Sequence, residues 1–449
     1  MKKLLVILFA LALVFSFTAP VMATDVSFDG SFRVRGFIDS NSMLQEGSSS
    51  TAYYDQRFRL GTVFQVAEGL KVTTRFDAMD GIWGDQRPAT RLRPAVPNNN
   101  NFQFDKAYVT FVTGIGQFDA GIMSDLTWGL TFGNAEAFTP RLSFTTKVGD
   151  VVLNVHTIKN NEIDGLNNAT GYSDRDEDSY RAAAVYATDD ITAGLLYVYN
   201  RDTNDVIGLN SWLLAAVPAL EPQVKMTAHV LSPYFKATFG DLYLEGEAGW
   251  LDGTIDVSKC NVAERVRLAL VGVNGDIDVE GFRVYLEAKY NIGSSYVGGL
   301  WAFVQGDDPN TQSPENMLDS GNDWDPMLIL FNDTCPTALG TAGTTGINMN
   351  NGSIYQIFAG TTMDKISIRS SLSIAKADED TWAGATAATK YLSKDYGTEF
   401  DLEASYMIYD NLTYSAGFGY LWAGDYYKGA LATKIDDTYL LMNKLEVVF

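Results

Sequence analysis

Six basic side chains near the start of the chain, Arg33, Arg35, Arg57, Arg59, Lys71 and Arg75, fall in three short segments at spacings of two or four. Successive side chains of an extended strand point to opposite faces, so each such group shares one face. Acidic residues repeat the device farther on: Glu245, Glu247 and Glu287, then Glu399, Asp401 and Glu403. If these faces enclose water, opposed basic and acidic walls create a transverse field that orders water and sorts solutes by charge and dipole. Without that role the same charges simply keep an interior wet and pair between strands.

The segments that carry them alternate apolar and polar residues. Val26, Phe28, Gly30, Phe32, Val34, Gly36 and Ile38 occupy one face, and Ser27, Asp29, Ser31, Arg33 and Arg35 the other, with Phe37 as the exception. Phe58, Leu60, Thr62, Phe64 and Val66 stand against Asp55, Arg57, Arg59 and Gln65, and Leu70, Val72, Phe76 and Ala78 against Lys71, Thr73, Arg75 and Asp77. The stretch from Lys106 to Thr113 fits either facing. Late segments keep the rule, with Phe400, Leu402, Ala404, Tyr406 and Ile408 opposite Glu399, Asp401, Glu403 and Ser405. A wall between hydrocarbon and water needs this pattern.

The first residues set the compartment. Lys2 and Lys3 precede an apolar run from Leu4 to Phe17 and a small-residue site ending at Ala23, which predicts a signal peptide over 1–23 and a single mature domain over 24–449. Removing it takes two lysines and leaves 31 basic against 55 acidic side chains, a net charge of −24. That balance argues against a nucleic-acid partner, which needs clustered positive charge to displace counterions. Beyond residue 23 no apolar run reaches the roughly 18 residues a membrane helix requires.

Connections alternate between short turns, such as Ala67-Glu68-Gly69, and long polar stretches, such as Asp39 to Thr51. Short turns are read at Gly114 to Gly116, Gly149-Asp150, Thr188 to Asp190, Gly240-Asp241, Asn274 to Gly281, Met363 to Lys365 and Tyr409 to Asn411. Long stretches fall near 80–101, 124–140, 159–178, 201–225, 251–263, 292–351, 377–394 and 423–436. Short turns on one rim and long loops on the other predict an all-β fold, a transmembrane antiparallel barrel of about 18 strands. The stretch 292–351 has room for a further hairpin, and sixteen strands is the alternative count.

The leader, the alternating segments and a last strand from Tyr439 ending on the aromatic Phe449 together resemble Gram-negative outer-membrane porins. The resemblance implies a water-filled diffusion channel for small hydrophilic solutes or ions, in the outer membrane among lipid and lipopolysaccharide, with a homotrimer as the usual assembly. It also implies that Phe449 is the signal read by the barrel-insertion machinery. It implies no cofactor and no catalytic turnover. A looser likeness is to barrels that export acidic polysaccharide such as alginate. A structural or adhesive barrel is the third reading.

In porins an arginine cluster faces acids on an inward-folded loop, and three stretches here are candidates for that loop: 80–101, 124–140 and 292–351. The second carries Trp128, Phe132 and Phe138 for packing inside a barrel, and Asp125 and Glu136 to face the arginines. Trp212 to Leu220 is apolar enough for a short helix within a long loop. Cys260 and Cys335 fall in two long outer loops of an oxidising compartment, where a disulfide is expected and two thiols are the alternative. His156 and His229 lie far apart without a nucleophile motif, so both are read as wall residues. The acidic runs Asp174 to Asp178 and Asp307-Asp308 have the chemistry of Ca²⁺ ligands without EF-hand spacing, and solvated loops are the preferred reading.

Overall fold

A computed structural model describes residues 25–41, 44–84, 102–125, 127–162, 176–203, 225–258, 275–308, 313–332, 348–380, 393–429 and 432–449, with single positions between them. The expected leader, the Trp212–Leu220 helix and Cys335 lie outside the described residues. The chain forms 18 strands: β1 (Asp25–Asp39), β2 (Thr51–Ala67), β3 (Leu70–Ile82), β4 (Phe102–Thr113), β5 (Gly116–Asp125), β6 (Ala137–Val148), β7 (Val151–Asn161), β8 (Glu177–Ala187), β9 (Ile191–Asp202), β10 (Lys225–Phe239), β11 (Leu242–Asp256), β12 (Ile277–Ile292), β13 (Ser295–Val304), β14 (Gly352–Met363), β15 (Ile366–Lys376), β16 (Asp395–Tyr409), β17 (Leu412–Ala423) and β18 (Thr438–Val448). Each pairs antiparallel with its sequence neighbours. β1 pairs with both β2 and β18, so the sheet closes and leaves no edge.

Closure is completed by the last residue. Phe449 and Gly30 exchange backbone hydrogen bonds of 3.0 and 2.8 Å, and the Phe449 ring lies 6.5 Å from that of Phe58. Outside the sheet, Phe28, Phe64, Leu142, Val155, Trp250, Leu286, Ile357 and Leu402 are exposed as an apolar band. In water such a surface would be unstable, whereas in hydrocarbon it is the solvated face. No helix among the described residues is long and apolar enough to cross a membrane, and strands of 10 to 17 residues meet the length a spanning strand needs.

Two local departures from simple alternation matter. In β4 the register against β3 shifts at Arg75/Phe76, and Asp105 and Lys106 both turn inward. This bulge flips parity: Phe102 and Phe104 face out before it, Phe111 after it, while Thr110 bonds the inward Asp119 at 2.5 Å. The two-way reading of 106–113 thus has a physical origin. In β1, Phe37 turns inward as the alternation requires and is buried against Tyr53, with the Arg35 guanidinium 5.2 Å above its ring.

The connections between β11 and β14 correct the sequence reading. Of the turn expected at Asn274 to Gly281, residues 277–281 belong instead to β12, and Val262, Arg265, Val266 and Ala269 before it are helical. The short turn is Gly293-Ser294, and β13 lies inside the stretch read as one loop. The expected total of 18 survives because one strand wrongly placed before 274 offsets one missed after 294. Val266, Leu268 and Leu270 alternate with polar or small neighbours over too short a window to separate strand from helix.

Candidate functional site

The basic wall is built by β1 to β4. Arg33 and Arg57 stand side by side in the β1–β2 register. Arg57 and Arg59 reach Asp77 of β3, at 3.9 and 2.7 Å. Arg75 reaches Asp105 at 3.3 Å and Glu136 at 3.2 Å, and Lys106 meets Glu136 at 3.1 Å. Phe138 lies under both cations, 4.8 Å from Arg75 and 5.8 Å from Lys106. Lys71 stands across from Gln65 at the rim of the short turns. Like charges on adjacent strands are thereby interleaved with acids, which removes most of the repulsion a purely basic patch would carry.

Water reaches this wall. The side chains of Arg57, Arg59, Lys106 and Glu136 are 20 to 27% exposed inside a closed sheet. Arg35 differs. It faces inward, yet it is 1% exposed and locked to Asp55 by two bonds of 3.0 and 2.6 Å, so it holds β1 to β2 and does not meet the solvent. Beyond β4 the pairing continues through Asp125, which takes Arg181 at 2.6 Å and Arg141 at 3.7 Å. His156 sits inward among these groups with Nδ1 2.6 Å from Asn154 Oδ1, while His229 lies on the outer face 2.7 Å from the Tyr197 hydroxyl.

Glu136 precedes β6 and faces three donors. Burial pushes its carboxyl up, but the bonds from Arg75 and Ser124 and the charges of Arg75 and Lys106 outweigh this and hold it at about 2. It therefore stays anionic across the physiological range.

Of the three candidate constricting stretches, 124–140 runs inside the barrel and crosses to the opposite wall. Trp128 donates from Nε1 to the Ser232 carbonyl of β10 at 2.9 Å and meets Tyr234 edge-on. Leu130 donates its backbone N–H to Glu247 of β11 at 2.8 Å. Phe132, fully buried, stacks on Tyr285 of β12 and meets Trp324 edge-on. The residues 313–332, between β13 and β14, also lie inside. Gly321 donates to the Phe132 carbonyl at 2.7 Å and Asp323 to that of Asn134 at 2.9 Å, which ties the two segments backbone to backbone. The docking needs glycine at two positions: a β-carbon on Gly321 would collide with the Asn134 carbonyl, and one on Gly133 with the Glu247 carboxyl. Of the stretch 80–101, residues 85–101 lie outside the described set.

The acids expected on the far wall divide into two groups. Glu245 and Glu287 stand opposite each other and share the Tyr285 hydroxyl, 2.9 Å from each, and Glu403 meets Arg369 at 3.2 Å. Glu247, Glu399 and Asp401 face inward too but are 3, 0 and 1% exposed, because the inward segments cover them. Glu399 takes the backbone N–H groups of Ile329 and Leu330 at 2.7 and 2.9 Å, and Gln356 donates to the Pro326 carbonyl. The alternation gives the facing of these acids; nothing in it signals a lid above them. Arg283, 3.6 Å from Glu247, has no signal in the sequence beyond its strand position.

Asp307 and Asp308 accept backbone N–H groups of Glu315 and Asn310, and Asp176 and Asp178 hold Lys159 at 2.7 and 2.9 Å. Cys260 is buried near the end of β11, and its expected bond to Cys335 lies outside the described residues.

No family model matches the chain, and no curated protein sequence does. Solved structures match over nearly the whole length. OccAB1 of Acinetobacter baumannii aligns with a TM-score of 0.54 and 12% identity, over 96% of this chain and 98% of that one. OccK9 (OpdG) of Pseudomonas aeruginosa gives 0.52 and 12%, over 95% and 99%. OccK8 (OprE) of the same species gives 0.51 and 13%, over 94% and 98%. The likeness is one of fold, a closed 18-stranded antiparallel barrel of the porin type.

Proposed function

We propose that the chain is an outer-membrane diffusion channel that passes small hydrophilic solutes or ions between its inward segments and the arginine-bearing wall. The observation that carries this reading is the partial solvation of Arg57, Arg59, Lys106 and Glu136 inside a closed barrel whose outer face is apolar. Export with loss of residues 1–23, a role for Phe449 in insertion, and assembly as a homotrimer in lipid and lipopolysaccharide belong to the same reading.

Export of an anionic polymer would want a continuous cationic track. Asp77, Asp105, Glu136 and Asp125 interrupt this one at intervals within 4 Å of its cations, which favours small solutes. An adhesive barrel has no use for a wetted charged interior. Reconstitution into a planar bilayer tests the proposal: stepwise conductance is expected, and a folded, heat-modifiable barrel that never conducts would remove it.

A further inference from the structure

The two segments inside the barrel are held by the same device. A glutamate from the wall, buried and facing inward, accepts backbone N–H groups of the covering segment: Glu247 takes that of Leu130, and Glu399 takes those of Ile329 and Leu330 with one oxygen each. Between the latches the segments are joined to one another through Gly321 and Phe132. We propose that Glu247 and Glu399 are positioning residues for the channel, two side-chain latches that hold 127–136 and 313–332 as one body against β10–β17 and thereby set the opening along the arginine wall.

This rests on the diffusion-channel reading and goes beyond it, because neither glutamate meets a solute. A glutamate suits the task because its two oxygens can each accept a bond, as Glu399 shows with Ile329 and Leu330. A backbone donor in a covered segment has no water to fall back on. The surroundings keep each latch specific. Glu247 is faced by Arg283 from β12, by Lys236 and Tyr234 from β10 and by Glu245 on its own strand. Glu399 has Asp401 beside it, with Ser371 and Ser373 of β15 and Arg369 farther along. The segments carry acids of their own, Glu136 and Asp323 among them, so their placement also fixes part of the field across the opening.

Single-channel recording of Glu247→Gln, Glu399→Gln and the double variant tests this, with heat-modifiability checking that each barrel is folded. Wild-type conductance establishes the channel independently, so a silent wild type would sink the parent reading and not this one alone. Turning one acceptor oxygen into an amide donor that faces a backbone N–H predicts roughly tenfold more time in flickering substates and a reversal potential nearer zero for each single variant. If the segments are one body, the double variant should resemble either single one. A further variant, Gly321→Val, cuts the tie while leaving both latches, and in that background the two glutamine substitutions should act independently. Quiet wild-type traces with an unchanged reversal potential in the singles would overturn the proposal, as would effects that already multiply with Gly321 in place.

Discussion

Phe449 and Gly30 exchange both backbone hydrogen bonds, so the chain's last residue completes the ladder of its first strand. A β-carbon at Gly30 would lie 2.5 Å from the Arg59 carbonyl oxygen and 2.9 Å from the Phe449 ring. Gly30→Val should therefore cost about 1–3 kcal/mol through overpacking and lower the heat-modifiable fraction recovered from membranes, whereas Phe449→Tyr should be neutral. Equal recovery of Gly30→Val and wild type would show that the contact relaxes freely.

Arg35 and Asp55 form a buried bidentate pair, 2 and 6% exposed at the side chains. Removing one member leaves a charge in the covered interior, a loss of about 3–5 kcal/mol. Asp55→Ala should lower the urea midpoint of the detergent-solubilised barrel well below that of Asp77→Ala, whose partners keep contact with water. Matching midpoints would contradict the difference drawn between these two acids.

Glu136 is ionised down to a pH of about 2, against an ordinary value of 4.5. A group whose folded value is depressed contributes stability above its unfolded value and loses it as pH falls toward the folded one, so this contribution wanes between about 4.5 and 2. Glu136→Gln should shift the reversal potential toward anions by nearly the same amount at neutral pH and at a pH roughly one unit below the ordinary glutamate value. Convergence of wild type and variant in that interval would mean the carboxyl titrates normally.

Reversing Arg33, Arg57 and Arg75 to Glu should move ion preference toward cations, while reversing the covered Arg35 should instead prevent folding. These outcomes separate residues that meet water from one that does not. An unchanged reversal potential in the folded triple variant would place the narrow part of the channel elsewhere.

The architecture was legible because period-two segregation is a consequence of two solvents meeting at one wall, and it persists from Val26 to Phe449. It failed where the cause is local. The helical residues Val262, Arg265, Val266 and Ala269 fall in an apolar rhythm too short to assign, and β13 hides between polar connections. For the site, alternation gave the facing of Arg57 and Arg59, and equally of Glu247 and Glu399. What lies over a face is a matter of tertiary docking. The cradle that Ile329 and Leu330 make for Glu399 is formed by backbone amides, which every sequence possesses and none advertises.

The bulge in β4 has a consequence for how such walls change over time. Strict alternation allots one interior position to every two residues, so adjacent charges of opposite sign cannot share the inside of a strand. One added residue at Asp105-Lys106 lifts that limit and delivers a ready-made dipole to Arg75 and Glu136. Single-residue insertions in wall strands are thus a route by which a barrel can redraw its internal charge map while every neighbouring strand, and the grease outside, stays as it was.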